Sequence, residues 1–435
     1  MVLMKNRFLI PGSFVFFILL LYLLIADEDL EPATKLWLDV FEQQGDDHNN
    51  ASLRLLSLGK TDPIFINTAK QTYLKKLNAF KYDGLLGDEV PMKYPNVLQF
   101  EPFLQSSLFC ELAEIGCFER LREQADYLNL VIIEFEPELS DFMSLNKVEH
   151  FQALNPFVAE IKLKDFIFLF KLKGTEIYYD ITKGNFEKAS NSLEQLITIN
   201  RQFFAESNDL LAKISFSVNT KNIFQPLLIA LKDAGYSSSD KFADVLRPLS
   251  MKEISVDEIQ KRSFAKNARI IKAGLAAREQ QNSDSILSTL WQRFVYKKNM
   301  TLNDMYNDYQ ALLLPSYISK HSLLAFSDSI DQATNERQRD KSQQPIMYRL
   351  NNLTNAVGAS LKDIVMPRQV NVYKATAALD TRLQLLRLRL QAQDKELAEL
   401  VKLESYANYY TGHLPFIIEG KACYTINSED VCVAI

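Results

Sequence analysis

The sharpest contrast between apolar and polar positions falls in the first thirty residues. Residues 8–26 run for nineteen positions without a charge, matching the roughly 20 residues a helix needs to cross ~30 Å of hydrocarbon. Lys5 and Arg7 precede the run, and Asp27, Glu28, Asp29 and Glu31 follow it at once. Cations before a span and none directly after it orient the N-terminus inward. The pattern therefore predicts a cytoplasmic tail over 1–7, one transmembrane anchor over 8–26 and export of all that follows. A cleaved signal peptide is the competing reading, because 14–26 has the length of an h-region. Against it, Leu24-Ile25-Ala26 places a large residue at the first position of the small-x-small cleavage pattern. Either reading exports the same domain.

Downstream the period is helical. Helices are predicted over 33–58 and 64–80, then an irregular stretch over 82–102 punctuated by Gly84, Gly87, Pro91 and Pro95. They resume from Phe103, with segments over 118–134 and 137–144 separated at Pro137. The stretch 156–233 is the most periodic. After a turn and N-cap at Gly184-Asn185, Phe186, Ala189, Leu193, Leu196, Ile197 and Phe203 fall at three- and four-residue steps, one apolar stripe. Residues 251–299 read as helix with a basic face of Lys261, Arg262, Lys266, Arg269 and Lys272, and such a face is usually solvated. The polar run 327–345 reads as a linker or loop. In 376–403, Leu379, Leu383, Leu386, Leu390, Leu397 and Leu400 follow a four-three heptad step with Gln393 in the remaining seam position. Leu385 and Leu388 widen that face, which points to burial within the protein's own bundle rather than to a partner helix. From Tyr409 onward the residues turn β-like.

Four cysteines form two local pairs, an even count that suits an oxidising compartment. If Asn427-Ser428 is a two-residue turn, Cys423 lies opposite Cys432 at a non-hydrogen-bonded position, with Cα atoms ~4.5 Å apart. A disulfide fits there. Cys110 and Cys117 would stand ~10.5 Å apart on an unbroken helix, too far for a bond. Gly116 can break the helix and bring them together; buried thiols are the alternative. Zinc is disfavoured, since neither pair has Cys-x-x-Cys spacing and histidines are lacking nearby.

Composition changes the picture mainly by exclusion. The chain has 435 residues, 47% apolar and 24% charged, with only 13 Gly and 14 Pro, which argues against a loop-rich all-β chain. A formal net charge of −5 supplies no basic field for nucleic acid. The four histidines, His48, His150, His321 and His413, show no ligand spacing, so no metal and no cofactor is expected. Nucleophile-elbow, phosphate-loop and dinucleotide glycine patterns are missing from the sequence. Ser-x-x-Lys occurs at Ser57, Ser144 and Ser238 without its companion motifs. Paired carboxylates such as Asp88 and Glu89 need no local motif, but have no more claim than other acids. No catalytic residue is assigned. The most distinctive segment contains Trp291, Arg293, Asn299, Thr301, Asn303 and Tyr306. It reads as a loop and capped helix, or as a polar-aromatic docking surface.

Two resemblances follow from these residues. Gly184-Asn-Phe-Glu-Lys-Ala189 resembles the turn and second-helix start of a tetratricopeptide repeat, implying a helical hairpin within a solenoid-like stack. The anchor, Phe109-Cys110 to Cys117, 192–213, the Asn299/Thr301/Asn303/Tyr306 pattern, Asn355-Ala-Val-Gly358 and 379–391 together resemble uncharacterised bacterial membrane-anchored exported helical proteins. In that pattern Asn-Pro-Val-Gly is usual, and Ala356 departs from it. This resemblance implies architecture and compartment but no activity. The expectation is a mainly α protein: a 1–7 tail, an 8–26 anchor, a helical bundle or solenoid-like exported domain over 27–326, the 327–345 linker, and a C-terminal helical segment over 346–435 ending in a small disulfide-closed β-hairpin. The expected role is an inner-membrane, periplasm-facing scaffold or adaptor for an envelope protein partner. A glycan or peptide hydrolase with a non-local site, and a lipid-binding envelope factor, are the alternatives.

Overall fold

A computed structural model describes residues 26–41, 50–55, 63–83, 110–147, 151, 154, 163–207, 210–236, 239–281, 294, 296–339, 355–358, 360, 371–391, 397–426 and 428–434. In chain order the longer helices are α1 (Pro32–Leu38), α2 (Pro63–Asp83), α3 (Cys117–Glu123), α4 (Ala125–Glu134), α5 (Glu136–Met143), α6 (Leu163–Thr182), α7 (Phe186–Glu206), α8 (Leu210–Asn219), α9 (Gln225–Asp233), α10 (Asp257–Gln281), α11 (Lys298–Gln310), α12 (Lys320–Arg339) and α13 (Asn371–Gln391). Three strands close the chain: β1 (Phe416–Ile418), β2 (Lys421–Ile426) and β3 (Glu429–Ala434). The protein is thus mainly helical with a small C-terminal antiparallel sheet. Among the described residues no helix is long and apolar enough to cross a membrane. The predicted anchor and tail lie outside the described residues, apart from Ala26.

The chain divides into two compact units that interleave in sequence. The first comprises Met1–Gln44, Gln260–Leu313 and Asp331–Arg368. In it Leu302, Met305, Tyr306 and Tyr309 form an i, i+3, i+4, i+7 face on α11. That face packs with Trp37 of α1 and with Phe264, Ala268 and Ile271 of α10. The aromatic rings meet edge to face: Trp37 lies 5.7 Å from Phe264 and 4.9 Å from Tyr306 between centroids, the favoured arrangement for ring quadrupoles.

The second unit comprises Gly45–Ile259, Leu314–Ile330 and Gln369–Ile435. Helices α6 and α7 form the predicted hairpin, with Gly184 at positive φ between them. Ala189, Leu193, Leu196, Ile197 and Phe203 are all buried, as the stripe requires. Asn185 occupies the cap position without a side-chain cap bond. Between α8 and α9 the chain makes one wide π-type turn, Thr220–Phe224. Pro226 explains it: the ring has no N–H to donate and would strike the carbonyl four residues back, so the helix opens just before it. The Asn200 amide donates to the Phe216 carbonyl and accepts from Asn219.

Helix α13 runs through this unit with Leu379, Leu383 and Leu386 buried, and with Leu385 and Leu388 buried as well. The first half of the heptad seam is therefore used inside the chain; Leu390 and Leu400 are half-buried. Over 327–339 the polar run is helix rather than loop, and the division between the two units falls within it, at Ile330 and Asp331. The run continues α12, where Leu323, Leu324, Ser327 and Ile330 form a buried stripe; residues 340–345 lie outside the described residues. The stripe's spacing outweighs the polar composition of the other face.

The sheet has order β1-β2-β3, one strand more than the expected hairpin. Glu419 and Gly420 both take positive φ (49° and 69°), the requirement of the tight turn that adds β1 to β2. Cys423 pairs with Cys432 in the β2–β3 register, and the disulfide closes over a Cα separation of 4.1 Å. Arg382 of α13 donates to the Cys432 carbonyl at 3.0 Å. Cys110 and Cys117 also pair, 5.7 Å apart. Gly116, at φ 80°, supplies the left-handed step just before α3 begins at Cys117.

Candidate functional site

The distinctive 299–306 pattern is turned inward. Helix α11 starts without a capping side chain of its own, leaving N–H groups without intrahelical partners. The Asp27 carboxylate takes two of them, accepting from the Asn299 N–H at 2.8 Å and the Met300 N–H at 3.1 Å. Negative charge at a helix N-terminus is stabilising. Asn303 is 3% exposed and holds the same segment through both ends of its amide. It accepts from the Glu31 N–H at 3.0 Å and donates to the Glu28 carboxylate at 2.7 Å and the Asp29 carbonyl at 3.0 Å. The Asn299 amide donates to the Glu28 carbonyl. Residues 27–31, which directly follow the apolar run, are thereby clamped to α11.

A second strut lies under the clamp. Asn355 accepts from the Lys297 N–H at 2.7 Å, and its amide donates to the Thr301 hydroxyl at 3.0 Å. Gly358 stands so close that a Cβ there would lie 2.0 Å from Thr301 Oγ1 and 2.3 Å from Asn355 Oδ1. The Asn-x-x-Gly and Asn-x-Thr-x-Asn patterns are therefore two halves of one structural element. Tyr306 belongs to the aromatic core; Trp291 and Arg293 lie outside the described residues.

In the second unit, buried charges fasten the segment 245–257. Arg201 of α7 donates from Nε and Nη2 to Glu253 Oε1 (3.0 and 2.7 Å) and from Nη1 to the carbonyls of Val245 and Arg247 (3.0 and 2.6 Å). Glu253 closes a capping box with Ser250 and also accepts from Arg247 at 2.9 Å. Burial alone would raise the Glu253 carboxyl, but the Ser250 N–H and Arg201 more than offset it, and the net direction is down. Lys213 donates to the Ser255 carbonyl and lies over the Phe204 ring. Burial lowers its ammonium to about 8, against the pull of Glu253 and Asp257. Asp380, fully buried on α13, accepts from the Leu249 N–H, Lys320 and the Tyr410 hydroxyl at 2.7, 2.6 and 2.9 Å. Burial and Asp380 both push the Tyr410 phenol up. These groups are saturated by one another, an arrangement suited to fixing a loop.

Helix α4 presents a different surface. Leu128 and Val131 are buried, whereas Tyr127, Leu130 and Ile133 are 46%, 64% and 58% exposed. The sequence signal was available: 127–133 reads Tyr-Leu-Asn-Leu-Val-Ile-Ile, apolar on both faces. The buried charges had a weaker one, an acid at 380 within a leucine-rich helix and the Ser250-x-x-Glu253 capping pattern. Among the described residues no group of three or more His, Cys, Asp or Glu side chains could hold a metal. His321 and His413 are exposed, while His48, His150, Asp88 and Glu89 lie outside the described residues. On the basic face of α10, Lys266 is exposed but Arg262 is buried. No protein family, curated protein or solved structure matches this chain.

Proposed function

We propose that this protein is a membrane-anchored extracytoplasmic scaffold or adaptor that presents helical surfaces to another protein of the cell envelope. The observation that carries the reading is the exposed apolar face of α4. Exposed apolar patches rimmed by polar residues mark interaction sites. The α6–α7 hairpin favours the same role, since stacked helix pairs make extended binding surfaces. The compartment rests on the charge asymmetry around residues 8–26 and on two closed disulfides, which persist in oxidising surroundings. The 27–31 clamp would hold the first unit directly against such an anchor.

The test places a photoreactive phenylalanine at Leu130 in intact cells and identifies the adduct by mass spectrometry. The expected result is one envelope protein attached to a large share of the chains. Thiol labelling with a membrane-impermeant maleimide should succeed only after reduction. A site that yields no adduct removes the scaffold reading. Thiols that react without reductant, and only after lysis, would place the domain in the cytoplasm.

A further inference from the structure

We propose that the α4 face receives an amphipathic helix of the partner protein whose apolar ridge is flanked by Lys and Arg. The inference rests on the scaffold reading and goes beyond it by naming the chemistry of the partner. Geometry supplies the first argument. At 100° per residue, Tyr127, Glu134, Leu130, Asp126 and Ile133 fall in that order within an arc of roughly 120° on α4. All five are exposed. The strip is about 10 Å long, the length of two turns of a helix laid along it.

Charge supplies the second argument. Asp126 and Glu134 lie between the apolar residues, and the exposed Glu123 and Glu136 stand at either end of the helix. None of these four carboxylates has an ion-pair partner among the described residues. Two of the three basic side chains in 110–147 are engaged within the protein: Arg120 pairs with Glu114 at 3.0 Å, and Arg122 donates to the Tyr178 hydroxyl. Residues 110–147 hold nine carboxylates against three basic side chains, a net charge of −6 in a chain whose total is −5. The segment that contains α4 is thus the more acidic part of the chain, the remainder carrying a formal net charge of +1 (−5 less −6). Unpaired acids among apolar side chains repel anionic lipid headgroups and select a cationic, amphipathic occupant, as complementary interfaces do.

The test uses the full chain in phosphatidylcholine nanodiscs. The probe is a short synthetic peptide with leucines at helical spacing, lysines elsewhere and a photoreactive group; a counterpart carries glutamate in place of lysine. The lysine peptide should bind saturably, weaken with salt and crosslink within 123–136. Leu130→Asp, and Asp126→Lys with Glu134→Lys, should each weaken it by roughly tenfold or more. These positions face solvent, and an unchanged circular dichroism spectrum would show that the fold is intact. Equal binding by the glutamate peptide, equal binding by the variants, or crosslinks elsewhere would each overturn the proposal. So would Leu130 crosslinking to a second copy of this chain. An envelope adduct at Leu130 in cells without lysine-peptide binding sinks this inference and leaves the scaffold reading standing. If no adduct forms in cells, the scaffold reading itself fails.

Discussion

Two arginines grip the same carboxylate, and their unequal burial makes a decisive comparison. Arg201 and Arg247 both hydrogen-bond Glu253, but the Arg201 side chain is 10% exposed and that of Arg247 is 53% exposed. Arg201→Met removes the buried charge while keeping most of the side-chain length. It leaves Glu253, 3% exposed, with less compensation, and it strands the Val245 and Arg247 carbonyls. Breaking a buried pair costs about 3–5 kcal/mol, and each stranded acceptor adds about 1 kcal/mol. The surviving bonds to Arg247 and the Ser250 N–H pull the sum back, to about 4 kcal/mol. Arg247→Met removes a pair open to water, worth about 0–1 kcal/mol. Urea unfolding of the full chain, followed by far-ultraviolet circular dichroism, measures both. Hydrogen exchange across 243–257 then shows whether the loss is local to the fastened segment. Since Glu253 is held below the ordinary glutamate value of 4.5 in the folded state, the folded chain binds fewer protons than the unfolded one in acid. The stabilisation is full above the unfolded pKa and is lost as pH falls through the folded one, so this acid-dependent part should shrink in Arg201→Met. If Arg201→Met costs no more than Arg247→Met, the buried-strut reasoning is wrong.

Three further outcomes follow from other contacts. Asp27→Ala should cost about 1 kcal/mol, as loss of a helix cap does, and should speed hydrogen exchange at Asn299 and Met300 specifically. Gly358→Ala should destabilise the first unit by about 1–3 kcal/mol through overpacking against Thr301 and Asn355, read as easier unfolding by the fluorescence of Trp37. Lys213 loses its proton at about 8 in the folded chain against 10.5 in an unfolded one. Stability should therefore rise with pH between those values, and Lys213→Met should flatten the rise while leaving the acid limb unchanged.

Local periodicity carried much of the fold. The 186–203 stripe, the Cys423–Cys432 register and the break at Gly116 each depend on residues within one turn or one hairpin, where spacing alone fixes geometry. Two misreadings had local causes as well. Polar composition over 327–339 hid the Leu323, Leu324, Ser327, Ile330 stripe, and the Glu419-Gly420 turn adds a strand, β1, that the expected two-stranded hairpin lacked. The clamp and the ionic struts were hidden for a different reason. Asp27 meets Asn299, and Asp380 meets Leu249, across separations of 272 and 131 residues, and no periodicity links such pairs. The Asn299-to-Tyr306 pattern stood out as unusual, but whether it faced a partner or its own chain depended on those distant contacts. The exposed face of α4 required burial to be known for both sides of one helix.

The clamp also sets a timetable. A chain leaving the ribosome at about 5–20 residues per second exposes Asp27 and Trp37 early, yet their partners on α11 come some 272 positions later. The interval is roughly 15–55 s, during which the segment 27–38 has nothing of its own to fold against. The second unit holds long contiguous stretches, including the α6–α7 hairpin with its local contacts, and begins to close within that interval. The clamp therefore forms only after α11 has emerged, and the stretch adjoining the apolar run stays open to chaperones and proteases until then.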